Sequence, residues 1–273
     1  MNPTVESIQS ATTTTGTLTI TKPTSTAIGD LLIATIGSKA ALTSTPSGWT
    51  LLSTVNNAFT YTSVYWVIAT STQTAASNFS WTISGAGEIA GGISRITGDF
   101  YTTSSPVAVF ASGTFTLSAS PVFTITVTPN NLSSLLLFCV TASQNGTGSS
   151  SISGYSVATS NPTWTEKYDL TITNTGIVTH SMASATRTQK TATGDASATL
   201  ARSDYSSAIM IVVRPKVLFS FSETITIVET RMKTINKIFS EAISLTETFA
   251  KKLGRLWTTI TKPVTTWINK IKP

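Results

Sequence analysis

Charge is scarce in this chain. Only 11% of its 273 residues are Asp, Glu, Lys or Arg, roughly half the usual share. Cysteine is a single residue, Cys139, set inside the apolar run LLLFCV. An intramolecular disulfide is therefore impossible, and a buried small hydrophobe is the expected role. Histidine is also single, His180, so a Cys/His zinc site lacks ligands. A triad drawn from His180, one of many serines and Asp169 or Asp195 has no GxSxG elbow to support it, and a structural or surface histidine is expected. The carboxylates Asp30, Glu88, Asp99, Glu166, Asp169, Asp195 and Asp204 are scattered in or beside predicted turns, where such residues are ordinary. They form no evident glycosidase pair, and no EF-hand spacing, Walker-type loop or GxGxxG loop occurs. These absences point away from an enzyme and from a bound cofactor. No apolar run approaches the roughly 18 residues needed to span a bilayer. The opening MNPTVESIQSATTTT has neither the basic nor the apolar region of a secretory signal, so the expectation is a protein made and kept without export.

What is present is Ser and Thr on an apolar frame. Thr is β-branched and suits a pleated surface, while Ser suits turns. The stretch Gly29 to Trp49 shows the pattern: a Gly29-Asp30 turn, the branched apolar run Leu31 to Ile36, a polar loop, then Pro46-Ser47-Gly48-Trp49. It reads as a buried strand, a loop and the start of a second strand. A first strand is predicted in TGTLTITKP, followed by Leu31 to Ile36, Trp49 to Val55, Thr60 to Ala69, Asn78 to Ser84 and Glu88 to Ile96. Residues 97 to 130 read as a bridge containing Phe115 to Leu117 and Val122 to Val127. Turn signals at this spacing predict a sandwich or jelly roll.

The series then recurs. Leu135 to Val140 echoes Leu31 to Ile36, and Pro162 to Thr165 echoes Gly48 to Thr50. Gly176 to Ala185 echoes Thr60 to Ala69, Asp195 to Arg202 echoes Asn78 to Ser84, and Ala208 to Val213 echoes Ile89 to Ile96. The expected fold is all-β: one antiparallel β-sandwich of jelly-roll type, with ten or more strands and an internal duplication, over residues 1 to 215. Asn145 to Gly154, NGTGSSSISG, reads as a mobile loop outside the core. Trp49, Trp66 and Trp81 lie on predicted strands. Burying a Trp removes about 150–250 Å² from water, worth on the order of 4–6 kcal/mol, so core placement is expected for them and, by the echo, for Trp164. The competing reading is a sugar-stacking platform with Tyr61, Tyr65 and Tyr168.

The net charge of +6 is not spread along the chain. Residues 1 to 215 carry eight basic and eight acidic groups, so the excess lies in residues 216 to 273. There FSETITIVET recurs eighteen residues later as FSEAISLTET, five helical turns apart. Steps of four and three place Phe221, Ile225, Val228, Met232, Ile235, Phe239, Ala242, Thr246, Phe249, Leu253, Leu256 and Ile260 on one face. This predicts a helical extension with an oligomerisation seam, although the many β-branched residues lower helix propensity. Lys251, Lys252, Arg255, Lys262, Lys270 and Lys272, with Trp257 and Trp267, form a basic, aromatic anchoring segment broken by Pro263. Its candidate partners are a neighbouring subunit, an anionic membrane surface and nucleic-acid phosphates.

The motifs GDLLIATI, PSGWTLL, VYWVIAT, FSWTIS and GISRITG resemble a β-sandwich module of bacteriophage and other viral virion proteins, often tail-associated. The resemblance spans about residues 25 to 215. Here Gly98-Asp99 stands at the module's closing turn, and Ile68 replaces its usual polar residue. The tail repeats resemble SET-x-T-x-TET repeats appended to such modules. The resemblance implies a non-enzymatic structural virion protein (a tail-associated, fibre or capsid-decoration component) that is made in the host cytoplasm, forms homo-oligomers and contacts other virion proteins. It carries over no catalytic residue. The alternative is a carbohydrate-binding or adhesin module on a virion or cell surface, meeting a host glycan through exposed aromatics and the Asn145 to Gly154 loop.

Overall fold

Leu31–Ser38 is buried at every one of its eight positions, a pattern that requires a strand covered on both faces. The computed structural model, which describes residues 2–57, 59–100, 106–129, 131–144, 151–173 and 177–215, supplies both covers. The chain divides into units Met1–Leu218 and Phe219–Pro273, and every described residue belongs to the first. The predicted helical extension, its seam from Phe221 to Ile260 and the anchoring residues from Lys251 to Lys272 lie outside the described residues.

The described chain is all-β but for one short helix. Its first half holds β1 (Thr4–Thr13), β2 (Thr17–Thr21), β3 (Leu31–Ser38), β4 (Leu42–Ser44), β5 (Thr50–Asn56) and β6 (Tyr61–Ile68). The helix α1 (Ser71–Ala75), β7 (Asn78–Ile83) and β8 (Ile89–Thr97) complete it. The second half holds β9 (Val107–Ser118), β10 (Val122–Phe123), β11 (Ser134–Gln144), β12 (Ile152–Val157), β13 (Thr165–Thr173), β14 (Ile177–Arg187), β15 (Ala196–Leu200) and β16 (Asp204–Val213). The first half forms sheets ordered β1-β8-β3-β6-β5 and β2-β7-β4. The second forms β9-β16-β11-β14-β13 and β10-β15-β12, which is the same order eight strands later.

Each predicted echo falls on an equivalent strand: β3 with β11, β5 with β13, β6 with β14, β7 with β15 and β8 with β16. The irregularities repeat too. A register shift lies between Leu51 and Ser53 where β5 meets β6, and another between Glu166 and Tyr168 where β13 meets β14. A second pair lies between Val5 and Ser7 of β1 and opposite Val212 and Val213, on β9. Bulges add one residue and bend a strand, so matching bulges mean matching curvature.

Burial separates the layers. In β2 the inward Leu18 and Ile20 alternate with exposed threonines, as a strand with one wet face must. Odd and even residues of the inner strands instead serve different cores. Leu32, Ala34 and Ile36 pack with Leu18, Trp49, Phe79 and Trp81, whereas Leu31 and Ile33 pack with Leu135, Leu137, Cys139, Met182 and Ile211. In the second half, Leu136, Phe138 and Val140 pack with Phe123, Tyr155 and Met210. Two sandwich-like pairs of sheets, each with its own core, thus share a third core between their five-stranded sheets. The stacking has approximate two-fold symmetry, with β1 against β13 and β5 against β9.

Four expectations change. The expected single sandwich of ten or more strands is, among the described residues, two sheet pairs with sixteen strands. The first strand is β1, ahead of TGTLTITKP, and the bridge contains the twelve-residue β9. The segment called a loop at Asn145 to Gly154 runs into β12, whose Ile152 is fully buried in the second core; residues 145–150 lie outside the described residues. Trp49 and Trp81 are core residues as expected, whereas Trp66 and Trp164 only pack half-buried against the cores, so the aromatics are not an open platform.

Candidate functional site

Two polar features interrupt the apolar stack. The first is sealed within the shared core. His180 Nδ1 is 2.9 Å from Thr141 Oγ1, and its Nε2 is 3.1 Å from Thr35 Oγ1 and 3.3 Å from the Tyr168 hydroxyl. Tyr168 also hydrogen-bonds Thr35. Thr62 donates to Thr141 at 2.7 Å and exchanges a second bond with Ser207. Burial holds His180 down at about 4, from an ordinary 6.5, so the ring is neutral near neutrality, donating from one nitrogen and accepting at the other. This network satisfies polar groups that would otherwise be costly at the interface. His180 is a structural histidine whose ring nitrogens face the hydroxyls of Thr35, Thr141 and Tyr168.

Cys139 is equally enclosed. Its thiol donates to the Ile209 carbonyl at 3.2 Å, and burial pushes its pKa up to about 12. Because the thiolate is the reactive form, iodoacetamide is expected to leave Cys139 unmodified in the folded protein. It should label one site per chain in concentrated guanidinium chloride, as mass spectrometry would show; stoichiometric labelling of the folded protein would contradict the burial.

The second feature is open. Where β1 lies against β13, a cleft of about 790 Å³ is lined by Thr4 and Val5, the end of β14 and the loop before β13. Arg187, at the end of β14, builds its floor. Its side chain is 1% exposed. Nη1 donates to the carbonyls of Thr159 and Ser160 at 2.9 and 3.0 Å. Nη2 donates to the carbonyls of Thr191 and Ala192, both at 3.1 Å, and to Thr191 Oγ1 at 3.2 Å. One guanidinium therefore ties two loops together, and helps hold Ser160 in the left-handed region at φ 48°, where non-glycine residues are uncommon. Its buried Nε has no partner. Asn161 fixes the same loop, its Oδ1 accepting from the Val157 amide and the Trp164 indole at 3.0 and 2.9 Å.

The rest of the cleft wall mixes hydroxyls and amides with the apolar Val5, Leu135, Pro162 and Ala185, and it has one further cation, Lys167 of β13, and no carboxylate among the lining residues. Two exposed acids adjoin lining residues: Glu166 stands between Thr165 and Lys167 on β13, and Glu6 accepts from Thr4 Oγ1 at 2.9 Å. Such a surface can bind polar or anionic groups.

No family model, curated protein or solved structure matches the chain.

Among the described residues, no three His, Cys, Asp or Glu side chains gather as metal ligands. Other acids are engaged locally: Asp30 accepts from Arg95 at 2.6 Å, and Glu88 lies 3.8 Å from Lys39. Lys167, Arg187 and Asn161 were not legible as a site. The available hint is rarity: Lys167, Arg187 and Lys190 are three of only eight cations in residues 1 to 215.

Proposed function

We propose that the chain is a non-enzymatic structural component of a virion, tail-associated, fibre or capsid-decorating. In this reading residues 1 to 215 display two jelly rolls, and residues 216 to 273 assemble copies or anchor them to other virion proteins, a membrane surface or nucleic acid. The observation that carries it is the twice-repeated order in which strands one, eight, three and six share one sheet and two, seven and four the other. That alternation is what folding a long hairpin across itself produces, and jelly rolls recur in viral capsid domains. The motifs that resemble the virion module fall one after another on β3, the entry to β5, β6, β7 and β8. The three cores cover both faces of the five-stranded sheets, which leaves edges, loops, the outer faces of the three-stranded sheets and, in this reading, the tail for partners.

Deleting residues 216 to 273 tests the division of labour. The truncated protein is expected to be a folded monomer by light scattering and circular dichroism, while the full chain assembles. Truncated protein that assembles like the full chain, or a full chain that is itself monomeric, would overturn the proposal.

A carbohydrate-binding role is the second reading, and the open cleft favours it. Its site would be the polar wall around Lys167, because the tryptophans are committed to the cores.

A further inference from the structure

We infer that the cleft between β1 and β13 binds a carboxylate-bearing oligosaccharide, of the uronic acid type. The inference rests on the carbohydrate-binding reading and adds a chemical class to it. The cleft volume of about 790 Å³ falls within the roughly 300–1,000 Å³ of ligand pockets. Its lining is rich in donors. Lys167 forms no ion pair or hydrogen bond among the described residues and brings a whole ammonium charge. Asn161 uses its carbonyl oxygen twice within its own loop, so its amide nitrogen is left to donate outward. Gln189 likewise accepts from Thr191 through Oε1, and its amide nitrogen is left over. Arg187 adds positive charge from below, buried, balanced by carbonyls and one hydroxyl, with its Nε–H unpartnered.

An ionised carboxylate only accepts, so it complements a wall with surplus donors and two cations. The Ser and Thr hydroxyls, which both donate and accept, match sugar hydroxyls. The exposed carboxylates beside the cleft, Glu6 and Glu166, can accept from sugar hydroxyls.

The test uses the full chain and two probes of equal length, tetragalacturonate and maltotetraose, in isothermal titration calorimetry. Saturable binding of tetragalacturonate, at least about tenfold tighter than maltotetraose, is expected; this is the scale of one charge-assisted hydrogen bond. Lys167→Gln should remove that preference while leaving the thermal midpoint unchanged, since Lys167 is on an edge strand and makes no internal bond. Raising the salt concentration should weaken the acidic probe alone. Equal binding of both probes would overturn the acidic specificity and leave the carbohydrate-binding reading standing. Binding of neither would overturn both, and acidic binding untouched by Lys167→Gln would overturn the assignment to this cleft.

Discussion

Gly92→Ile is expected to destabilise the protein by about 3 kcal/mol, the upper range for overpacking a core. Gly92 lies on β8, facing the shared core, and a Cβ built there would stand 2.4 Å from Tyr168 Cε1 and 2.8 Å from Cζ. The ring cannot swing aside freely, because it is buried and its hydroxyl binds Thr35 and approaches His180. The repeat suggests the remedy. Registers that align Leu31 with Leu135 place Ile209 at the position of Gly92, and Ser53 at that of Tyr168. One corner of the interface therefore has a large residue where its counterpart has a small one. Gly92→Ile combined with Tyr168→Ser recreates the other corner's pair, and should be more stable than the sum of the single changes by over about 1 kcal/mol. Urea unfolding of the four proteins measures this. Additive costs, or a harmless Gly92→Ile, would show that the contact is not constraining.

Acid should weaken the fold by a comparable amount. The unfolded chain protonates His180 as pH drops through 6.5, whereas the folded chain resists until about 4. Across that window the unfolded state holds more protons, so stability falls with falling pH, by about 3 kcal/mol in total. Asp169 opposes it. Burial, reinforced by nearby Glu166 and moderated by the Ile152 amide, raises its carboxyl from 3.8 to about 6. The folded state then takes up that proton first, and gains stability as pH falls from 6 towards 3.8. Asp169 is only half buried, which discounts its share. Urea midpoints should thus decline from pH 7 to about 4.5, more steeply in Asp169→Asn and less in His180→Gln. A His180→Gln profile as steep as the parent's would remove His180 as the cause.

The strands that are plain in the sequence are those whose residues answer to the cores. Leu31 to Ile36 and Leu135 to Val140 stand out because both faces are covered, so no polar residue dilutes the run until Thr35 or Thr141. Among the strands that escape notice, wholly or in part, are β1 and β9, at the sheet edges, with the short β4 and β12. In β1, TVESIQSATT mixes half-buried and exposed positions throughout, which leaves weak alternation and no apolar run. The helix α1 escapes too: it has one turn and a Thr70–Gln73 capping box, with no periodic stripe. The cleft is less visible still. Lys167 and Arg187 are twenty residues apart in sequence and meet through the pairing of β13 with β14, a relation that no local spacing encodes. The aromatics, by contrast, announce their burial through bulk alone.

The mismatched corners also bear on how the halves came to need each other. Gly37 leaves room for His180, a Cβ there standing 2.8 Å from the imidazole, while the equivalent positions hold Thr141 and Thr62, joined by a hydrogen bond. Two copies of the second half would set His180 against a threonine, and two copies of the first would set Thr62 opposite an empty glycine. Neither half fits its own twin as well as it fits its sister. Covalent linkage therefore fixes a one-to-one stoichiometry that free halves would have to find by sorting.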